Sequence, residues 1–173
     1  HLDHCSDFDM IMEAIHEGFS SVMADGSVLP FEENVAFTRK VVEVARNFDV
    51  DVEGELGHVG TAADSDEFSR KEFFTRPDEV KEFVERTKVT SLAVSFGSAH
   101  GLYKSTPKLD IDHLKVLSAA TDTPLVLHGG TGIPDDQLAL AFANGINKIN
   151  IGTEFFNLNT KLNQEFYAQD FTK

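Results

Sequence analysis

Cysteine, positive charge and long apolar runs are all scarce in this chain of 173 residues. The single cysteine, Cys5, excludes an internal disulfide and fits a reducing cytoplasm as the compartment. Lysine and arginine number 15 against 29 aspartates and glutamates, giving a net charge of −14 with no basic patch. A nucleic-acid binder needs such a patch, so nucleic acid is not expected as a partner. Acidity overall still permits local sites that attract an anion. The longest apolar runs are strand-sized, so no membrane span is expected, and no stretch reads as a secretion signal. An initiator Met is missing too. The opening His1-Leu2-Asp3-His4 reads as the tail of a strand, so the sequence is expected to be part of a longer chain.

What is present is globular in kind. Hydrophobic residues make up 41% of the chain, enough for one domain with a buried core. Short apolar runs alternate with segments of helical period. Strands are expected at Ser21–Ala24, Val50–Leu56, Ser91–Phe96, Pro124–Leu127 and Lys148–Ile151, nearly continuous in apolar character, as parallel strands buried on both faces are. Asp7 caps a helix carrying Phe8, Ile11, Met12 and Ile15 on one face. Further helices are expected over Phe31–Asn47, from Pro77, from Asp110, from Pro134, and over Glu154–Tyr167. The enlarged stretch Gly57–Arg76 is a candidate functional loop.

Alternating βα units fit either an open doubly wound sheet or a closed barrel. An open sheet gathers its site at one switch point, whereas a barrel draws on many strand ends. Here Asp3 and His4 end a truncated first strand, Asp25 ends the next and Glu55 the one after; His100 follows the fourth, His128 ends the fifth and Asn150 the sixth. The barrel reading is therefore adopted. Residues 1–173 form one (β/α)8 barrel domain incomplete at its N-terminus, comprising the last five to six βα units, since a whole barrel takes about 250 residues.

His4, His100 and His128 occupy ends that converge on one mouth. Three imidazoles make a zinc site with an open fourth position, and zinc there acts as a Lewis acid. His16 and His113 fall in helices and are expected at the surface; His58 does not share the strand-end placement either. Two glycine-rich turns accompany the triad, Gly97-Ser98-Ala99-His100-Gly101 and His128-Gly129-Gly130-Thr131-Gly132. Such turns bring backbone N–H groups close to an anion, and a phosphate site after the last strands is common in barrels.

The segments His1-Leu2-Asp3-His4, Asp25-Gly26-Ser27, Pro30-Phe31-Glu32-Glu33-Asn34, Glu53-Gly54-Glu55-Leu56-Gly57, Gly97–Lys104, Leu127–Gly132 and Lys148-Ile149-Asn150-Ile151 resemble, in order, those of the class II fructose/tagatose-bisphosphate aldolases. The resemblance implies a zinc-dependent lyase that cleaves fructose 1,6-bisphosphate or tagatose 1,6-bisphosphate to dihydroxyacetone phosphate and glyceraldehyde 3-phosphate. It implies that Asp3 is the acid/base at the C4 hydroxyl, that His4, His100 and His128 hold zinc, and that Asp25 and Glu55 line a second cation site, divalent or monovalent. Gly101, Gly129, Gly130, Thr131, Asn150, Ile151, Gly152 and Thr153 match the segments that hold the dihydroxyacetone-phosphate half, and Lys104 is a further phosphate candidate. A homo-oligomer, dimer or tetramer, is also implied.

The pattern departs in one place. Relatives carry a mobile carboxylate in the loop after Glu-Leu-Gly; Asp64, Asp66 and Glu67 are the candidates here. A Schiff-base lysine has no candidate inside a strand at the mouth, because Lys148 is expected to start its strand. Two other readings stay open: a different metal-dependent sugar-phosphate lyase or epimerase on the same barrel, and an inactive fragment or binding protein.

Overall fold

The computed structural model describes residues 1–57, 59, 71–103 and 105–169. His58, Lys104 and the loop carboxylates Asp64, Asp66 and Glu67 lie outside the described residues.

Six strands pair in parallel in chain order: β1 (Leu2–Cys5), β2 (Ser21–Ala24), β3 (Asp51–Leu56), β4 (Ser91–Val94), β5 (Leu125–Leu127) and β6 (Ile146–Ile149). A helix follows each: α1 (Phe8–His16), α2 (Phe31–Ala45), α3 (Pro77–Thr87), α4 (Ile111–Ala119), α5 (Asp135–Ala143) and α6 (Thr153–Tyr167). Local chemistry sets several starts. The Asp7 carboxylate accepts from the Asp9 and Met10 amides, and Asp110 accepts from the His113 amide, each satisfying orphan donors of a first turn. Pro77 opens α3, where its missing N–H costs nothing.

Strand alternation sorts the core. Val22 and Ala24, Val52 and Leu56, Leu92 and Val94, and Leu125 and Leu127 face outward and join the helices in one large apolar cluster with Ile11, Val41, Phe83, Leu114 and Leu117. The opposite face packs only Met23, Ala93 and Val126 as a small apolar plug. Burying a side chain such as Phe83 stabilises the fold by about 1.5–3 kcal/mol.

The sheet is curled. In a flat sheet, four strand steps from β1 to β5 cover about 19 Å, yet His4 Nε2 and His128 Nδ1 lie 2.7 Å apart. Five steps from β1 to β6 cover about 24 Å flat, yet Asn150 Nδ2 donates to Asp3 Oδ1 at 2.8 Å. The result is a half-barrel with its C-terminal strand ends drawn together. An open flat sheet is excluded by these two contacts.

Three expectations are corrected. β6 runs Ile146–Ile149 rather than Lys148–Ile151, because the register slips at Asn147, whose Oδ1 takes the Leu125 amide, and Ile146 rather than Ile151 is the buried anchor. Lys148 therefore does not start its strand: it is the third residue of β6 and faces inward, where its ammonium pairs with Glu53 Oε2 at 2.7 Å. His113 is not a surface residue. It is half-buried, with Nε2 donating to the Thr75 carbonyl at 2.8 Å, because the Lys71–Thr75 segment returns over α4. His16 is exposed, as expected.

Candidate active site

β1 is irregular where it matters. Leu2 pairs with Val22 and Cys5 with Ala24, so three residue steps on β1 face two on β2. The extra residue is accommodated by His4, whose φ of 46° lies in the left-handed region. Such a backbone costs on the order of 1–3 kcal/mol in a non-glycine residue. Asp3 and His4 both address the mouth as a consequence.

His4, His100 and His128 meet there. His4 Nε2 lies 3.0 Å from His100 Nε2 and 2.7 Å from His128 Nδ1. The rings stand edge to face, with centroids 4.5 to 5.8 Å apart. His4 is the third residue of β1, His128 directly follows β5, and His100 sits well beyond the end of β4, carried by the glycine turn.

The outer nitrogens decide the tautomers. His4 Nδ1 donates to Asp25 Oδ2 at 2.8 Å, and His128 Nε2 donates to Glu53 Oε1 at 2.7 Å. A carboxylate only accepts, so each outer nitrogen carries a proton, and in the neutral rings both inner nitrogens present lone pairs. Two lone pairs facing across 2.7 Å call for a shared cation. The residues fit a metal, and a carboxylate behind each of two imidazoles is the usual support for a ligating histidine.

The surroundings of His4 favour positive charge, which either a proton or a metal can supply. Burial alone would oppose charge on His4, but the Asp25 hydrogen bond and the Glu55 and Asp3 charges outweigh it, and its pKa is raised. His100 is pushed down to about 4 by burial and by its two histidine neighbours. Burial favours the neutral form of Glu53, yet hydrogen bonds from His128 and Lys148 overcome it and hold the carboxylate ionised. Asp25 is likewise penalised by burial, but His4 and Ser27 bring it down to about 2. Glu55 is different: burial, reinforced by Asp25, raises it to about 8. Its buried Oε2 has no hydrogen-bond partner among the described residues and lies 3.7 Å from His4 Nδ1. His4, Asp25 and Glu55 thus form a second possible cation cluster, on the Nδ1 side of the same ring.

Beside the triad lies a cavity of about 360 Å³. Asp3, His100, Gly101, Gly129, Thr131, Asn150, Ile151, Gly152 and Thr153 line it, joined by His1, Lys148 and Ile149. Gly152 caps α6 without a side-chain hydrogen bond, and Gly152 and Thr153 bring the start of this helix to the cavity wall. Thr131 accepts the Glu154 amide and ties the turn after β5 to that helix. Gly130 stands apart: it does not line the cavity and donates its N–H to the Asn150 carbonyl.

Sequence reasoning passed over several contributors. Glu53 shares the inward side of β3 with Glu55, and two carboxylates at that spacing are the available sequence signal. Asn34 is buried and donates to the Glu55 carbonyl at 2.8 Å; a Cβ at Gly26 would lie 2.3 Å from its Oδ1, which explains why these motifs belong together. Lys148 and Tyr103 left no sequence signal of their roles.

Comparison with known proteins converges on one group. The model of the family described as fructose-bisphosphate aldolase class-II matches residues 1–172. The chain belongs to this family. A fructose-bisphosphate aldolase of Staphylococcus epidermidis is 49% identical over 154 residues, covering 89% of this chain and 54% of the relative. Among solved structures, the YdjI aldolase from Escherichia coli K12 superposes with a TM-score of 0.84 at 37% identity, over 98% of this chain and 59% of that one. A fructose-bisphosphate aldolase from Campylobacter jejuni gives a TM-score of 0.68 at 27% identity, over 94% and 54%. The class II aldolase chain described here thus spans about half the length of the curated relatives it matches. Among its described residues, no helix is long and apolar enough to cross a membrane.

Proposed function

We propose that the protein containing this chain is a zinc-dependent aldolase that cleaves fructose 1,6-bisphosphate, with the six units seen here forming most of a (β/α)8 barrel. The observation that carries this reading is the triad of inward imidazole nitrogens beside a cavity lined by Asp3 and two glycine turns. Family membership and the activity printed for the relatives support it. A zinc ion held by His4, His100 and His128 would supply Lewis acidity toward the negative charge that develops on the ketone half as the carbon–carbon bond breaks. Asp25 and Glu55 are the residues suited to a second cation.

The chain's own groups divide the remaining work. Asn150 fixes one Asp3 oxygen, leaving the carboxylate at the cavity wall to take the proton from the C4 hydroxyl during cleavage and return it in the reverse direction. Gly101, Gly129 and Thr131 and the Asn150–Thr153 segment that leads into α6 hold the phosphate of the three-carbon half. Lys148 does not serve as an imine-forming amine, since Glu53 engages its ammonium. The position of Lys104 in the family pattern keeps it as a phosphate contact in this reading, whereas Gly130, its N–H given to the Asn150 carbonyl, shapes the turn instead.

The test is a coupled cleavage assay on fructose and tagatose 1,6-bisphosphates, with and without a chelator, in the full-length protein. Chelation is expected to abolish cleavage and added zinc to restore it. Asp3→Ala is expected to lower turnover by about 10²–10⁴-fold with metal content unchanged. Full activity in metal-free protein, or zinc lost together with Asp3, would overturn the assignment.

A further inference from the structure

The two glycine turns beside the cavity are joined at one atom. The Ala99 N–H donates to the Tyr103 hydroxyl oxygen at 2.7 Å, and the same hydroxyl donates its proton to the Gly129 carbonyl at 2.9 Å. Ala99 directly precedes His100, and Gly129 directly follows His128. The turns also touch through their backbones, since a Cβ at Gly129, where φ is +70°, would fall 2.2 Å from the Ala99 carbonyl oxygen. On the far side, the Tyr103 ring supports the second turn, 3.5 Å from where a Cβ at Gly132 would stand. Tyr103 does not line the cavity.

We propose that Tyr103 is a positioning residue: its hydroxyl bolts the two turns together, so that the inner nitrogens of His100 and His128 and the amides facing the anion hold one fixed spacing. This rests on the reading of the cavity as a metal and phosphate site. A phenol suits the task because one oxygen both accepts and donates, and here both capacities are filled. Burial pushes the Tyr103 hydroxyl up to about 12, so the donated proton is retained at neutral pH.

Tyr103→Phe removes one oxygen and keeps the ring. In the full-length holoenzyme it is expected to raise both KM and the inhibition constant of inorganic phosphate about tenfold, and to speed zinc loss to a competing chelator by a similar factor, the scale of one buried hydrogen bond. A merely structural tyrosine would lower the unfolding temperature and leave these three quantities unchanged per folded molecule. Values within twofold of wild type would overturn the proposal. Should the variant fail to fold, hydrogen exchange of the Ala99 amide in the wild-type protein decides instead: added phosphate should slow it, and an unchanged rate would overturn the tether. A wild-type protein that neither keeps zinc nor responds to phosphate removes the functional reading itself. A competent wild type matched by the variant removes the tether alone.

Discussion

The two faces of the sheet are built on different physics. Outward residues such as Val22, Val52, Leu92 and Leu125 pack without directional demands against α1–α5. Inward residues, apart from the Met23, Ala93 and Val126 plug, are joined by directed bonds: Glu53 to His128 and Lys148, His4 to Asp25, Asn150 to Asp3. The first face specifies a fold and tolerates approximate fits. The second fixes atoms to within tenths of an ångström and is costly to leave half-satisfied.

The contrast can be broken from either side. The largest effect is expected outside: Phe83→Ala, at a fully buried position in α3, should cost about 3–5 kcal/mol in urea unfolding while the affinity of folded protein for zinc holds. A small cost would mean that the outer layer is not what holds the fold. Next comes Glu53→Gln, which keeps the shape but weakens the support of His128. Zinc affinity by chelator competition should fall about 10–100-fold with the unfolding midpoint of metal-free protein shifted far less.

The smallest effect per step is a pH slope. Glu55 moves from an ordinary 4.5 to about 8 in the folded state, so between these values the folded protein holds a proton that the unfolded chain has released. Its contribution to stability is therefore greatest below about pH 4.5 and declines as pH rises toward 8. Glu55→Gln should flatten that part of the profile in metal-free protein. An unaltered slope would show that Glu55 is not the inner group responsible.

This division also explains what could be read from sequence. Continuous apolar runs and helical period located five strands and six helices, and His1–His4 showed the first strand only by its tail, because packing against the helices leaves a local mark in the sequence. The histidine triad was legible as residue types at convergent ends. Its wiring was not, since Glu53 finds His128 and Lys148 across 75 and 95 residues, and no local pattern records such partners. β6 was misplaced for the same reason: Ile149 and Ile151 advertised a core that belongs to Ile146. Tyr103 was hidden because a half-buried aromatic after a turn reads equally well as filler.

α6 shows where the outer layer is bare. It matches α2 at 15 residues, but none of its residues is buried, and Phe155, Phe156, Leu158, Leu162 and Phe166 stand exposed. The 154 matched residues are 54% of the Staphylococcus epidermidis relative, and in the proposed barrel its further units would lie against this helix.

The irregularity at His4 carries a consequence for how the chemistry is addressed. A regular strand delivers every second side chain to a given face, so the proton carrier and metal ligand proposed for one strand would need a spacer between them. The left-handed turn of the backbone at His4 removes the spacer, and neighbouring residues Asp3 and His4 report to the same chamber. One peptide unit then acts as a rigid yardstick between the two functions. Neither can be retuned without moving the other, and deleting or adding a single residue in β1 would turn one of the pair away from the chamber and toward the helices.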